Sequence, residues 1–152
     1  MLANARQASH LQSSRPENQE VACRSMIVKQ PSFWQSVTHA WAGLLFTVRT
    51  QRNARIHVGI GLLTFGVAAW LGLDAVHWAI LVLMIGAVLA GETINTTVEA
   101  IVDLLSPEWH EQAKTAKDVS AGAVLILSTT ALVVGLLILG PPLWEWVLQF
   151  QR

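Results

Sequence analysis

Three apolar stretches set the terms on which this chain can fold: about Ile56 to Leu73, Trp78 to about Val102, and Val119 to about Leu139. A bilayer core of ~30 Å is crossed by ~20 helical residues, with a workable range of ~17–25, so each stretch qualifies by length. Lipid offers backbone groups no water, and runs of this kind must therefore be helical. One or two of them could be core helices of a soluble protein. Three in roughly 85 residues, with almost no polar face, could not. Composition agrees, since only 13% of the 152 residues are charged against ~25% in soluble domains. A net charge of zero argues against nucleic acid, which needs clustered Lys and Arg. The single cysteine, Cys23, excludes an internal disulfide.

The expected fold class is all-α: an integral membrane helical bundle of three transmembrane helices, with an N-terminal amphipathic surface helix before them. That helix covers about 32–50, where Phe33, Trp34, Val37, Trp41, Leu44, Leu45 and Val48 form an apolar stripe opposite Gln35, Ser36, Thr38 and His39. It is expected to lie in the membrane interface, to pack on the bundle, or both. Residues 1–31 hold no continuous apolar stretch of the signal-peptide kind and are expected to form a disordered cytoplasmic tail. The membrane domain then spans 32–140, with 141–152 a short extracytoplasmic tail.

Orientation follows from the basic residues. Arg49, Arg52 and Arg55 precede the first span, and Lys114 and Lys117 lie between the second and third. The turn LDAVH (73–77) carries no Lys or Arg. The N-terminus and the 104–118 loop are thus expected in the cytoplasm and the C-terminus outside. Trp70, Trp78, Trp144 and Trp146 would form an aromatic belt at the outer level.

The second span is not purely apolar. In GETINTTVEAIVD (91–103), Glu92, Asn95, Glu99 and Asp103 fall within roughly 80° of one another on a helix. Glu92 stands about 21 Å of helix from Trp78, towards the cytoplasmic side of the core. An acid inside a span costs ~2.5–3.5 kcal/mol at its centre and marks a functional site by default. Hydrogen-bonding glue between helices would suit Asn95, Thr96 and Thr97. It does not suit two glutamates, which repel unless a cation sits between them, so a metal or proton role is expected. The loop that follows, SPEWHEQAKTAKDVSAG, adds Glu108, His110, Lys117 and Asp118. Carboxylates with Lys and His at a wet membrane edge suit a polyanion bridged by Mg²⁺, which takes one or two carboxylates plus substrate phosphates. Phosphoryl transfer needs little beyond positioning, metal, positive charge and one base. The phosphate loops and signature motifs of soluble nucleotide-using enzymes are missing from the sequence.

The run E-x-x-N-x-x-x-E-x-x-x-D (Glu92, Asn95, Glu99, Asp103), with PEWH (107–110), AKDVSAGAVL (116–125) and RNARIH (52–57), resembles the small bacterial integral-membrane lipid kinases, the prokaryotic diacylglycerol kinase and undecaprenol kinase family. The resemblance covers about residues 32–140 and is most specific over 91–125. It implies an ATP- and Mg²⁺-dependent lipid kinase of a bacterial cytoplasmic membrane. The γ-phosphate would pass to diacylglycerol, giving phosphatidic acid, or to undecaprenol, giving undecaprenyl phosphate. It also implies a homotrimer with active sites between subunits. Under it Glu92 matches the catalytic base, Glu99 a metal and nucleotide ligand, and Glu108, Trp109, His110, Lys117 and Asp118 the nucleotide contacts. Asn95 and Asp103 support the centre, and Trp41 and Arg55 are candidate lipid contacts. One position departs: where the family commonly has a second metal-binding glutamate, this chain has Gln51, which brings a carbonyl oxygen but no charge. The alternative is a non-enzymatic helix-bundle subunit, ion-conducting or for assembly, that uses the same acidic stripe.

Overall fold

The computed structural model describes residues 31–150. The expected tail over 1–31 lies outside them but for its last residue. The all-α expectation holds: the described residues form four helices, α1 (Phe33–Thr50), α2 (Arg52–Trp70), α3 (Ala75–Leu105) and α4 (Glu111–Phe150).

By backbone contacts the described residues divide into two units, one ending at His39 and the other beginning at Ala40. In the first, Ser32 and Gln35 open α1 as a reciprocal capping box. Gln35 N donates to Ser32 Oγ at 3.3 Å and Ser32 N donates to Gln35 Oε1 at 2.9 Å, which satisfies two of the amides a helix start leaves over. Phe33 and Trp34 meet edge to face, their rings 5.4 Å apart, and both are well exposed.

In the second unit α2 and α3 form a tight hairpin. The chain leaves α2 through Gly72, whose φ of +66° is a conformation that favours glycine. Leu73 N donates to Ala68 O and Gly72 N to Ala69 O, both at 3.2 Å, the bond pair of a Schellman ending. Two residues later Asp74 caps α3, its Oδ1 accepting from the amides of Val76 and His77 at 2.9 and 3.2 Å. The bond from the His77 amide, the His77 ring and the Val76 amide hold the Asp74 carboxyl below its ordinary pKa, against a small opposing effect of burial.

α3 makes its largest contact with α4, a smaller one with α2, and α2 only touches α4. Small residues set the approach. A Cβ placed on Gly91 would come within 2.6 Å of Leu127 Cδ1, and one on Gly61 within 3.0 Å of Ile85 Cγ2. The buried apolar side chains are few: Ala54, Ala68, Leu81, Val88 and Val124. Large apolar residues such as Leu62, Leu83, Leu125 and Leu137 are exposed along the helices. A water-soluble core helix would hide them; these helices need an apolar surround.

The spans differ from expectation at their edges. α3 and α4 are each long and apolar enough to cross a membrane, with mean hydropathy 1.9 and 2.5 over the best windows. α2 has the length, at 19 residues, but Arg52, Asn53, Arg55 and His57 in its first two turns keep it from the required apolarity. It starts four residues before the expected Ile56, because a helix can begin in the wet region ahead of its apolar run. It ends at Trp70 instead of Leu73, where Gly72 closes it. α4 runs well past the expected 139, through Pro141 and Pro142, to Phe150.

Candidate active site

The α3 stripe faces the first turns of α2 on one side and α4 on the other. Glu92 is the one carboxylate buried within the described helices, 2% exposed. His57 Nε2, from α2, stands 3.2 Å from Glu92 Oε1. The contact is close enough for electrostatic attraction, and Oε1 takes part in no hydrogen bond. A buried polar atom left this way is costly, and marks a place where another donor belongs. It borders a polar cavity of about 300 Å³ lined by Asn53, His57, Glu92, Asn95 and Ser128 with small apolar neighbours. His57 and Ser128 also line a larger apolar cavity of about 450 Å³, which runs between α2, α3 and α4 past Gly61, Leu81, Leu132 and Leu139.

Two turns beyond Glu92 along α3, Glu99 is held on both oxygens. Gln51 Nε2 donates to Oε2 at 2.9 Å and Asn95 Nδ2 to Oε1 at 3.0 Å. Asn95 is fixed in turn, its Oδ1 lying 2.6 Å from Ser120 Oγ of α4. Ser120 Oγ is also 2.9 Å from Lys117 O, so its one proton serves one acceptor at a time. The structure therefore adds His57 and Ser120 to the residues singled out from the sequence. His57 had a legible signal, an ionisable side chain just inside an apolar run. Ser120 had none beyond its small size, because its bond to Asn95 spans 25 residues of chain.

The loop residues form a second group. A cavity of about 300 Å³ lies against the α3–α4 connection, lined among others by Asp103, Ser106, Glu108, Trp109, His110, Lys114 and Lys117. Lys117 is ion-paired with Asp103. His110 opens α4, its Nδ1 accepting from the Gln112 amide at 3.2 Å, which places its ring proton on Nε2. Trp109 is 81% exposed. Asp118 stands apart from this set: it pairs with Lys114 at 3.5 Å, both groups exposed, and does not line the cavity. Trp41 and Arg55 are both exposed, Trp41 on α1 and Arg55 on the first turn of α2.

A divalent ion is implied by the resemblance, and Glu99 is the residue that fits it. Among the described residues no three His, Cys, Asp or Glu side chains gather closely enough to hold an ion by themselves. A half-buried carboxylate does suit Mg²⁺, which relies on one or two carboxylates and takes its other ligands from phosphates and water.

The sequence profile of the prokaryotic diacylglycerol kinases matches residues 38–139. The chain belongs to the prokaryotic diacylglycerol kinase family. It is 42% identical over 114 residues to a diacylglycerol kinase of Synechocystis, a match covering 74% of this chain and 65% of that protein, a little under two thirds of its length. It is 36% identical over 111 residues to the undecaprenol kinase of Bacillus subtilis, covering 73% of this chain and 90% of the relative. The diacylglycerol kinase of Escherichia coli is 31% identical over 101 residues, covering 66% and 83%. Membership makes lipid kinase the class of enzyme, and a kinase draws its phosphate from ATP.

Proposed function

We propose that this chain transfers the γ-phosphate of ATP to the hydroxyl of a membrane lipid alcohol, diacylglycerol or undecaprenol. The observation that carries the proposal is Glu92, buried, with its Oε1 3.2 Å from His57 Nε2 and outside any hydrogen bond, lining a polar cavity that shares His57 and Ser128 with an apolar one. A lipid whose chain occupies apolar space would bring its hydroxyl past His57 to Glu92, which accepts the proton as the oxygen attacks phosphorus. Buried this way, Glu92 has no bulk water competing for it, and His57 keeps its carboxylate aimed. Glu99 would hold Mg²⁺, which when bound offsets charge on the transferring phosphate. The nucleotide arrives from the loop side, where Lys117, His110 Nε2 and Trp109 are within reach of its phosphates and base, and Asn95 with Ser120 keeps Glu99 in place. Holding both substrates in one frame supplies most of the rate.

The same reading makes α2 the third transmembrane span, carried by its tight hairpin with α3. Arg49, Arg52 and Arg55 form no ion pair among the described residues, which suits them to the cytoplasmic headgroups. This puts the N-terminus and the 106–110 loop inside and the end of α4 outside. A subunit with so few buried apolar side chains leaves faces for copies of itself, and a homotrimer with shared sites is the assembly proposed. The kinase domain is 32–140.

The test is purified protein in mixed micelles with labelled ATP and Mg²⁺, offered diacylglycerol and undecaprenol side by side, with Glu92→Gln as control. Label in one lipid, absent in the variant, supports the reading and names the substrate. No label in either lipid from a folded, oligomeric protein would overturn it.

A further inference from the structure

We propose that Gln51 takes the place of a second divalent ion, so that each site works with only the one ion that accompanies its nucleotide. The inference rests on the lipid-kinase reading above. Its basis is an unbroken line of neutral donors across three helices. Ser120 Oγ of α4 meets Asn95 Oδ1 at 2.6 Å, Asn95 Nδ2 meets Glu99 Oε1 at 3.0 Å, and Gln51 Nε2 meets Glu99 Oε2 at 2.9 Å. Gln51 stands at the α1–α2 junction as the cap residue of α2, 48 residues from Glu99 in sequence.

A carboxylate can only accept hydrogen bonds, so the amide that faces it must present its NH₂ group. The Gln51 carbonyl is thereby turned from Glu99 and is no ligand to an ion that Glu99 holds. A glutamate at position 51 would behave in the opposite way. Two carboxylates at this separation cannot both stay ionised without a proton or a cation between them, and the repulsion is strongest where burial lowers the local dielectric. Glutamine removes one negative charge and supplies the hydrogen that bridges the gap. The side chain thus meets the electrostatic need of Glu99 that a shared ion would meet. What is left for a metal is one carboxylate plus the phosphates, a set that suits one Mg²⁺.

The experiment counts bound ions directly. Full-length protein in micelles is titrated with Mn²⁺ and a non-hydrolysable ATP analogue, and bound Mn²⁺ is read by electron paramagnetic resonance. The wild type should hold about one ion per subunit at saturation and Gln51→Glu about two, since the two carboxylates would then share a second cation beside the one that accompanies the nucleotide. Melting provides an independent readout: Gln51→Glu should melt lower than wild type without divalent ions and recover on adding Mn²⁺. Two ions per wild-type subunit would overturn the inference, as would a folded Gln51→Glu variant that stays at one. If Gln51→Glu does not fold, the wild-type count alone decides. Two ions in the wild type would leave the kinase reading standing, whereas no nucleotide-linked ion in either protein would overturn both.

Discussion

His57 Nε2 and Glu92 Oε1 lie 3.2 Å apart, so the one buried carboxylate among the described residues faces an imidazole across the cavity that both line. Glu92→Gln keeps the shape and removes the base. The expected outcome is a kcat lowered by about 10²–10⁴-fold, the usual worth of a positioned general base, with the KM for ATP and the oligomer unchanged. His57→Gln, which retains a donor, should lose less than His57→Ala. Steady-state kinetics on both substrates checks this, and Glu92→Gln activity within threefold of wild type would remove Glu92 from the chemistry.

The Lys117–Asp103 pair lies at the wet end of α3 with both groups partly exposed, where an ion pair contributes only about 0–1 kcal/mol. Its value to the fold is therefore small. Lys117→Ala should leave the melting temperature nearly unchanged while raising the KM for ATP several-fold, and raised salt should weaken ATP binding in the wild type. A variant with a lowered melting temperature and an unchanged KM would make Lys117 a structural residue.

Gly91 sets how closely α3 and α4 approach beside Glu92. Overpacking costs about 1–3 kcal/mol, but the atom met by a new Cβ is the terminal methyl of Leu127, which can rotate away. Replacing a helical glycine also returns about 0.5–1 kcal/mol. Gly91→Ala should therefore be close to neutral in a thermal melt. Gly91→Leu has no such escape and should part the two helices, with loss of both activity and the proposed trimer. Melts and size-exclusion profiles of the two variants separate the cases, and a fully active Gly91→Leu enzyme would contradict the packing argument.

The Asp74 cap predicts a pH dependence confined to the acid side. Its pKa is lowered in the folded state, first by the His77 amide and then by the His77 ring. The stability it adds is therefore fully present above the unfolded-state value of about 3.9 and is lost as pH falls through the lower folded value. Wild type and Asp74→Ala should differ in melting temperature at pH 6 and converge towards pH 2–3. A difference independent of pH would show that the carboxylate charge has no part in the cap.

Much of this was legible along the chain because the signals are local. The apolar stripe of α1, the run over 78–102 and the one-face spacing of Glu92, Asn95 and Glu99 depend only on helical geometry, and the described helices carry them. Helix ends were less legible, since hydropathy marks where lipid begins, and a helix can start in water at Arg52. The third run was expected to end near Leu139, yet α4 continues through Pro141 and Pro142. Proline lacks the N–H that a helix interior uses, but within a membrane neighbouring groups can take up the freed carbonyls. Contacts between distant residues were the least legible. The sequence showed that Gln51 lacked a charge, but not that its amide would face Glu99.

The four-residue turn between Trp70 and Ala75 bears on how the chain is made. α2 is polar in its first two turns, whereas α3 is apolar over most of its length. Under the proposed topology, a glycine-closed ending and an aspartate cap would let the two enter the bilayer as one hairpin, the second half supplying the partitioning free energy that the first lacks. Commitment to the bilayer would then be postponed until α3 has been synthesised, and Gln51 and Glu99 would come to the same leaflet in a single step.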